Sequence, residues 1–253
     1  MKLIQRHGYI EFLRRNRERS IIKVVSGIRR CGKSTLFRLF KDELLAEGVK
    51  PEQIISINFE ELEYEPLREY HALYQYILNQ MQPNQMNYIF LDEIQHVDQF
   101  HRVVDSLFVK ENTDIYITGS NAYFMSSDIA TLLTGRYVEI QMLPLSFAEF
   151  YYSKYEEQQY SLIPAYEAYL RESSFPYTQQ LGGEDFDIQE YLRGLFNTLL
   201  LHDVVARLKI NDVTILQDIV RYIMANVGSL LSPNKIAKSL VSAGRKIDNK
   251  TVE

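Results

Sequence analysis

The chain has 253 residues, of which 46% are hydrophobic and 24% are charged, and this balance excludes disordered and fibrous chains. Its one cysteine, Cys31, excludes a disulfide-stapled scaffold and a cysteine-rich zinc module. No stretch approaches the roughly 20 apolar residues of a membrane-spanning helix, and the first residues lack the apolar core of a signal peptide. We therefore expect a soluble cytoplasmic protein of one large or two smaller domains, with no membrane partner.

Charge is distributed unevenly along the chain, although the net charge is only −5. Residues 1–41 contain 12 Lys or Arg and two Glu, so this segment carries +10 and the remaining residues carry −15. A basic segment of this density favours binding to phosphate groups. The charge pattern alone does not distinguish a nucleotide from a nucleic acid.

Hydrophobic periodicity predicts alternating strands and helices in the first part of the chain. The predicted strands cover residues 21–26, 53–59, 87–91, 114–118 and 137–142. The predicted helices between them cover residues 33–45, 67–81, 100–109 and 125–133. This alternation is typical of a mostly parallel sheet with helices on both faces, so the predicted fold class is α/β.

The pattern changes near Pro144, after which the sequence predicts helices alone. These helices cover residues 146–155, 165–172, 188–208 and 215–227. We therefore predict three parts: an α/β domain over residues 1–145, an all-α lid over residues 146–228, and a small C-terminal part over residues 229–253.

A phosphate-binding motif lies between the first predicted strand and the first predicted helix. Residues 27–34 read Gly-Ile-Arg-Arg-Cys-Gly-Lys-Ser and match the pattern G-x-x-x-x-G-K-[ST]. Glycines let the backbone curl so that N–H groups point at phosphate oxygens, and the following helix adds its positive N-terminal end. The alternative interpretation is a glycine turn before a helix with an incidental lysine.

The residue types of this loop indicate how it would bind a nucleotide such as ATP together with Mg²⁺. Lys33 is predicted to reach the β- and γ-phosphates, and Ser34 is predicted to ligate Mg²⁺. The predicted nucleotide-binding residues are Gly27, Arg30, Gly32, Lys33, Ser34 and Thr35. Because Cys31 lies near a helix N-terminus and two arginines, we expect a lowered pKa for its thiol.

A second motif is an apolar strand that ends in two carboxylates, as in a Walker B element. Residues 88–93 read Tyr-Ile-Phe-Leu-Asp-Glu. Asp92 is predicted to hold Mg²⁺, and Glu93 is predicted to activate the attacking water as a general base. The alternative is a loop that merely begins with two acids.

Polar residues at the ends of other strands extend this predicted site. Since ligands of an open parallel sheet bind at the carboxyl ends of its strands, we expect these side chains to face the γ-phosphate. Asn121 or Ser120 is predicted to orient the water, and Asn58 is predicted to hold Glu93 in an inactive rotamer. Arg136 is predicted to be donated to the γ-phosphate of a neighbouring subunit, which requires a homo-oligomer. For each residue, the alternative is a helix cap, a turn or a solvated charge.

These motifs resemble the prokaryotic AAA-type ATPases, which have a P-loop domain, a helical lid, a winged helix and, in full-length members, a nuclease-like C-terminal domain. The resemblance rests on residues 25–35, 58–60, 90–95, 118–121, 135–136 and 143–147. It implies ATP binding and hydrolysis, a sensor role at Asn121 or Ser120, and an arginine role at Arg136. The sequence departs from the family at Ser173 and Ser174, where two glycines are expected before Phe-Pro.

The C-terminal part resembles a truncated winged helix. Residues 232–240 are predicted to form its first helix, residues 244–247 the turn, and residues 248–252 the start of the recognition helix. Residues 229–253 carry a net charge of +3, which is compatible with DNA contact. The nine acidic and two basic residues of segment 149–190 argue against DNA lying along the helical lid. Because the chain stops within the predicted recognition helix, we expect a fragment of a longer protein.

The sequence therefore predicts a Mg²⁺-dependent ATPase that acts as a switch or motor in a larger assembly. The main alternative is a nucleic-acid-binding regulator in which ATP is a slow conformational switch. A small-molecule P-loop kinase is a second alternative, although such enzymes need neither this acid pair nor a helix-turn-helix.

Overall fold

The protein is described by a computed structural model that covers residues 4–120, 133, 135–155, 160–181, 185–199, 205, 212–245, 247 and 252. The chain divides into two compact units, Met1–Ile188 and Gln189–Glu253. The domain boundaries expected after residues 145 and 228 fall inside the first and the second unit, respectively, and stay predictions.

The first unit contains a five-stranded parallel sheet with strand order β2-β3-β4-β1-β5. Its strands are β1 (Ile22–Gly27), β2 (Ile54–Asn58), β3 (Asn87–Asp92), β4 (Thr113–Ser120) and β5 (Tyr137–Met142). The predicted α/β class is confirmed, and each strand begins and ends within two residues of its predicted bounds. Because all five strands are parallel, their carboxyl ends meet at one edge, where such folds bind ligands.

Helices cover both faces of this sheet. They are α1 (His7–Asn16) and α2 (Lys33–Ala46) on one face, and α3 (Tyr70–Gln80) and α4 (Phe100–Phe108) on the other. Successive side chains of a strand point to opposite faces, so Ile89 and Leu91 of β3 pack with α3 and α4, whereas Tyr88 and Phe90 pack with α1 and α2. Strand β3 is therefore apolar on both faces over residues 88–91.

The start of α3 differs from the prediction. The expected helix at 67–81 begins at Tyr70, because the Glu69 carboxylate accepts hydrogen bonds from two backbone N–H groups of the first turn and caps the helix there. The preceding residues form a 3-10 helix that contains Pro66. The 3-10 helices of the described residues are Pro51–Gln53, Leu62–Arg68, Ile94–His96 and Pro176–Gln180.

A buried ion pair joins β1 to β4 near the amino ends of these strands. The side chains of Lys23 and Asp114 are both fully buried and form a salt bridge. Asp114 also accepts hydrogen bonds from the Tyr116 hydroxyl (2.7 Å) and the Glu18 N–H (2.8 Å), and Lys23 also donates to the Arg19 carbonyl (2.9 Å). Burial, followed by the Asp114 charge, raises the pKa of Tyr116. The pair is thus hydrogen-bonded on both sides, as buried charges require.

Helices alone follow β5 among the described residues, as predicted. They are α5 (Phe147–Tyr155), α6 (Leu162–Glu172), α7 (Asp185–Thr198), α8 (Val213–Ala225) and α9 (Pro233–Ser242). In the first unit, Phe150 of α5 is buried against Leu145 and Ala168, and Lys154 pairs with Glu172. The expected helix at 125–133 lies outside the described residues except for Leu133.

In the second unit, α8 packs against α9. The Arg245 guanidinium lies 2.6 Å from the Asp218 carboxylate, and the Ser239 hydroxyl lies 3.0 Å from the Tyr222 hydroxyl. The Ser232 hydroxyl caps α9, which is the expected first helix of the helix-turn-helix. The expected recognition helix lies outside the described residues apart from its last position. Among the helices described, none is both long and apolar enough to span a membrane.

Candidate active site

The loop between β1 and α2 lies at the carboxyl edge of the sheet. Arg30 and Gly32 have φ angles of 66° and 108°, in the left-handed region, and such backbone turns N–H groups towards an anion. A Cβ atom on Gly27 would lie 2.5 Å from the Met142 carbonyl oxygen and 2.8 Å from the Cys31 sulfur, so only glycine fits there. The loop leads directly into the N-terminus of α2, whose helix dipole favours negative charge.

Lys33 is the first residue of α2 and is only 4% exposed. Its Nζ donates hydrogen bonds to the carbonyl oxygens of Gly27 (3.1 Å) and Ile28 (3.4 Å), and it lies 3.1 Å from Glu93 Oε1. The ammonium group therefore folds back over the loop and connects it to the acid pair. The sequence predicted that the loop and the acid pair face each other, and the structure places Lys33 in direct contact with Glu93.

Asp92 ends β3 and is buried next to the loop. Its carboxylate accepts hydrogen bonds from the hydroxyls of Ser34 and Thr118. Burial raises the pKa of Asp92, and these two hydrogen bonds act in the opposite direction. Ser34 and Asp92, the two expected Mg²⁺ ligands, are thus in direct contact and offer the oxygen donors that this cation prefers.

Glu93 follows Asp92 with a left-handed backbone (φ 55°) and is also buried. Its Oε1 pairs with Lys33, and its Oε2 accepts a hydrogen bond from Gln95 Nε2. Asn58 was expected to hold this carboxylate, but the Asn58 amide donates to Glu61 Oε1 at 3.3 Å instead. The expected Asn58–Glu93 contact is therefore wrong in this structure, and Gln95 takes its place.

Thr118 is the site residue to which sequence reasoning gave no role. Its hydroxyl donates to Asp92 Oδ1 and accepts a hydrogen bond from the Glu93 N–H at 2.9 Å. One side chain of β4 therefore holds both the Asp92 carboxylate at the end of β3 and the backbone of Glu93, which follows it. The sequence feature that could have identified Thr118 is its hydroxyl group in the otherwise apolar run Ile-Tyr-Ile-Thr, since a polar group buried in a central strand needs a partner.

Of the other expected site residues, Ser120 is close to the loop and Arg136 is far from it. Ser120 pairs in register with Gly27, and its buried hydroxyl has no hydrogen-bond partner in the part of the chain that is described. Arg136 precedes β5 and is exposed, with its guanidinium 5.7 Å from the centre of the Phe108 ring. At about 3.3 Å per strand residue, β5 separates Arg136 from the loop edge by roughly 20 Å. Asn121 lies outside the described residues.

The expectation for Cys31 is wrong. Its side chain is fully buried and points towards Gly27, and burial raises the pKa of the thiol. The charges of Lys33 and Arg6 lower this pKa, but their effect is smaller than that of burial. Arg30, one of the two loop arginines expected to lower the pKa, is exposed. Thr35 lies in the first turn of α2, as expected.

The residues present fit a magnesium nucleoside triphosphate. The loop has left-handed backbone at Arg30 and Gly32, which turns N–H groups towards an anion. Ser120 supplies a buried hydroxyl without a partner among the described residues, and Ser34 and Asp92 supply oxygen ligands for the cation. Fold and site together define a P-loop ATPase domain. Residues 19–151, just over half of the chain, match the AAA domain family, and the chain belongs to that family.

The chain is also similar to individual known proteins. An uncharacterised protein of Haemophilus influenzae is 37% identical over 253 residues, covering 99% of this chain and 62% of the relative. An uncharacterised protein of Methanocaldococcus jannaschii is 32% identical over 250 residues, covering 91% of this chain and 52% of the relative. A Walker-type ATPase of Pyrococcus abyssi has a similar fold, with a TM-score of 0.63 and 18% identity over 99% of this chain and 87% of that structure. The chain therefore spans only about half to three fifths of the curated relatives it matches.

Proposed function

We propose that this chain binds Mg²⁺–ATP at residues 27–35 and hydrolyses it, as the ATPase part of a switch or motor in a larger assembly. The observation that carries the proposal is the direct contact between the two motifs. Lys33 lies 3.1 Å from Glu93, and Ser34 is hydrogen-bonded to Asp92, although β4 separates the strands from which these motifs extend. A cation and a triphosphate bound at this junction would meet residues of both motifs.

Binding of the triphosphate is assigned to the loop and the start of α2. The backbone N–H groups of the loop surround the phosphates, the Lys33 ammonium group neutralises the β- and γ-phosphates, and Arg30 and Thr35 add peripheral contacts. Ser34 and Asp92 would hold Mg²⁺. When bound, this cation supplies positive charge that stabilises the charge developing on the transferred phosphoryl group.

Activation of water is assigned to Glu93. In the structure its carboxylate is paired with Lys33, and phosphate oxygens would compete for the same ammonium group. A carboxylate released from Lys33 can accept a proton from water as the water oxygen attacks the γ-phosphorus and the bond to the ADP oxygen breaks. Gln95 holds the other carboxylate oxygen in place, and Ser120 or Asn121 orients the water.

Arg136 is proposed to act on a neighbouring subunit. Its position before β5 is roughly 20 Å from its own loop, so a role at the γ-phosphate requires a homo-oligomer in which one protomer supplies Arg136 to the next. Mixing Arg136→Ala protein with Glu93→Gln protein tests this. Each variant alone is expected to be inactive, whereas mixed oligomers recover part of the rate, because some sites combine an intact Glu93 with an intact Arg136.

Two substitutions test the catalytic assignment. Lys33→Ala is expected to abolish ATP binding, whereas Glu93→Gln is expected to keep binding and lose hydrolysis. The matched controls are Arg38→Ala, an exposed position on α2, and Glu60→Gln, an exposed acid after β2. Phosphate release and equilibrium binding are measured for all four. If Glu93→Gln hydrolyses ATP at the wild-type rate, Glu93 is not the base. Phosphate release without an added acceptor also argues against a kinase.

The second candidate function is a nucleic-acid-binding regulator with ATP as a slow conformational switch. It is favoured by the basic C-terminal part, in which Lys235 and Lys238 are both exposed on α9. DNA binding through phosphate contacts weakens steeply with added salt. Binding of duplex DNA that falls with salt, is lost in Lys235→Ala/Lys238→Ala, and depends on bound ATP would support this function. An unchanged ATPase rate with DNA and no detectable binding would exclude it.

A further inference from the structure

The side chain of Arg6 joins three segments of the first unit that are far apart in sequence. Arg6 is the N-cap residue of α1 and is only 4% exposed. Its Nη1 donates to the Cys31 carbonyl (3.2 Å), its Nη2 donates to the Leu143 carbonyl (2.7 Å), and its Nε donates to Glu149 Oε1 (2.6 Å). A single guanidinium therefore contacts the phosphate loop, the segment after β5, and the first turn of α5.

The contact with Cys31 fixes the backbone of the phosphate loop. In a planar trans peptide, the carbonyl of one residue and the N–H of the next point in opposite directions. Because Arg6 holds the Cys31 carbonyl, it also fixes the direction of the Gly32 N–H, one of the loop amides that the proposed triphosphate site uses. Gly32 has a left-handed backbone and has no side chain that would restrict this peptide in another way.

The other contacts fix the start of α5. Glu149 Oε2 accepts hydrogen bonds from the Ser146 N–H (2.8 Å) and hydroxyl (3.0 Å), so these residues form a capping box, and Arg6 pairs with the remaining oxygen of the same carboxylate. The Tyr9 hydroxyl accepts a hydrogen bond from the Leu143 N–H at 3.1 Å, and the Tyr9 ring stacks on the Arg6 guanidinium. The N-terminal turn of α5 and the preceding segment are thus anchored on α1.

We propose that Arg6 is a positioning residue that couples the phosphate loop to α5, so that nucleotide binding and the stability of the first turn of α5 depend on each other. The inference rests on the proposed function, because it takes the loop as the nucleotide site. A bound triphosphate orders the loop peptide that Arg6 holds, and the same guanidinium transmits that order to Leu143 and Glu149. Coupling of this kind is reciprocal, so loosening α5 weakens nucleotide binding by the same factor.

The residue type matters for this role. A guanidinium has five N–H donors in a rigid plane and can donate in three directions at once. A lysine ammonium at this position carries the same charge on a flexible stem and cannot bond all three acceptors in the same plane. Arg6→Lys is therefore expected to restore only part of what Arg6→Gln loses.

The experiment measures ATP affinity and the amide hydrogen exchange of residues 147–155, with and without ATP, in four variants. The variants are Arg6→Gln, Arg6→Lys, Glu149→Gln and, as a control, Arg15→Gln, which removes the same charge from an exposed position of α1. In the wild type, ATP is expected to slow exchange in α5. Arg6→Gln is expected to weaken ATP binding about 10-fold or more, since it removes charge-assisted hydrogen bonds, and to abolish the effect of ATP on α5.

Glu149→Gln separates the contact of Arg6 with α5 from its contact with the phosphate loop. A glutamine preserves the capping box with Ser146 but removes the ion pair with Arg6. We expect this variant to lose most of the response of α5 to ATP while its ATP affinity falls less than that of Arg6→Gln. This comparison remains informative even if Arg6→Gln does not fold, since Glu149→Gln and Arg6→Lys leave a cation at position 6. Thermal melting of each variant shows whether it is folded under the conditions in which ATP binding and hydrogen exchange are measured.

Three outcomes have distinct meanings. If wild-type protein does not bind ATP, the proposed function fails. If wild-type protein binds ATP but exchange in α5 does not respond, the coupling is refuted while the nucleotide site stands. If Arg6→Gln is folded and binds ATP as tightly as Arg15→Gln, Arg6 does not position the loop.

Discussion

Thr118 is the residue whose removal tests the acid pair most directly, because its hydroxyl contacts both acids. It donates to Asp92 and accepts from the Glu93 N–H at 2.9 Å. Thr118→Val keeps the shape of the side chain and removes the hydroxyl, whereas Thr118→Ser keeps the hydroxyl. The comparison of these two variants isolates the hydrogen bonds from the packing of β4.

The expected cost follows from the number of polar groups that lose a partner. In Thr118→Val, the Glu93 N–H loses its hydroxyl acceptor. The Asp92 carboxylate loses one of its two side-chain hydrogen bonds and keeps the one from Ser34. At about 1–3 kcal/mol for the Glu93 N–H left without a partner and about 1 kcal/mol for the hydrogen bond that Asp92 loses, the free energy of unfolding is expected to fall by about 2–4 kcal/mol. For a unit of this size, that corresponds to a decrease in Tm of roughly 5–15 °C. Thr118→Ser is expected to lose about 1 kcal/mol, mainly from the missing methyl group.

The functional consequence is measured by ATP hydrolysis at increasing Mg²⁺ concentration. Loss of the Thr118 hydrogen bond further raises the pKa of Asp92, so the expected metal ligand is harder to ionise and Thr118→Val needs more Mg²⁺ to reach half of its maximal rate. Displacement of Glu93 is expected to lower kcat as well, about tenfold for each 1.4 kcal/mol of lost transition-state stabilisation. If Thr118→Val matches Thr118→Ser in Tm, in kcat and in its Mg²⁺ requirement, the hydroxyl does not hold the two acids.

Three other features lead to predictions. Burial raises the pKa of Asp92, so the folded protein binds more protons than the unfolded chain and, without nucleotide, loses stability as pH rises through this raised pKa. Asp92→Asn is therefore expected to stabilise the nucleotide-free protein at neutral pH and to abolish ATP hydrolysis. The stabilisation is measured as a higher urea concentration at the unfolding midpoint, and an unchanged midpoint would contradict it. Cys31 is buried, and the pKa of its thiol is raised. Iodoacetamide should therefore modify this thiol at least about 10-fold more slowly in the native than in the unfolded protein, as measured by mass spectrometry. Equal rates would show that the thiol is exposed. Asp114→Asn leaves the buried Lys23 ammonium without its counter-ion and is expected to lower the free energy of unfolding by about 3–5 kcal/mol. Adding Lys23→Met should restore part of this loss. If the Asp114→Asn variant is as stable as the wild type, the ion pair contributes little.

The sequence predicted the parts of the site that depend on local pattern. The loop and the two acids were found because a phosphate-binding pattern and an apolar strand ending in acids are continuous segments with a known strand and helix context. The proximity of the loop to the two acids was also expected, since the carboxyl ends of parallel strands meet at one edge, whereas the direct contact of Lys33 with Glu93 was not predicted. Local pattern was also sufficient for β5, whose bounds are those predicted.

The errors concern side-chain direction, which local pattern does not determine. Cys31 has arginine neighbours in sequence, but its side chain turns into the core while Arg30 is exposed, so burial outweighs charge. Asn58 ends the strand beside β3, yet the chain after it turns so that its amide meets Glu61. No local pattern predicts that Arg6 contacts Cys31, Leu143 and Glu149, which are separated from it by 25, 137 and 143 positions in the sequence. The helix α1 was not predicted either.

The position of β4 explains why the site depends on residues that neither motif contains. The loop extends from β1 and the acids from β3, and β4 lies between these strands. Its last residues therefore face both motifs: Thr118 contacts the acids, and Ser120 pairs with Gly27 at the start of the loop. A change in the spacing between loop and acids also involves this strand, because β1 and β3 are both hydrogen-bonded to it. The end of β4 is accordingly a second connection between the phosphate loop and the two acids, beside the direct contacts of Lys33 with Glu93 and of Ser34 with Asp92.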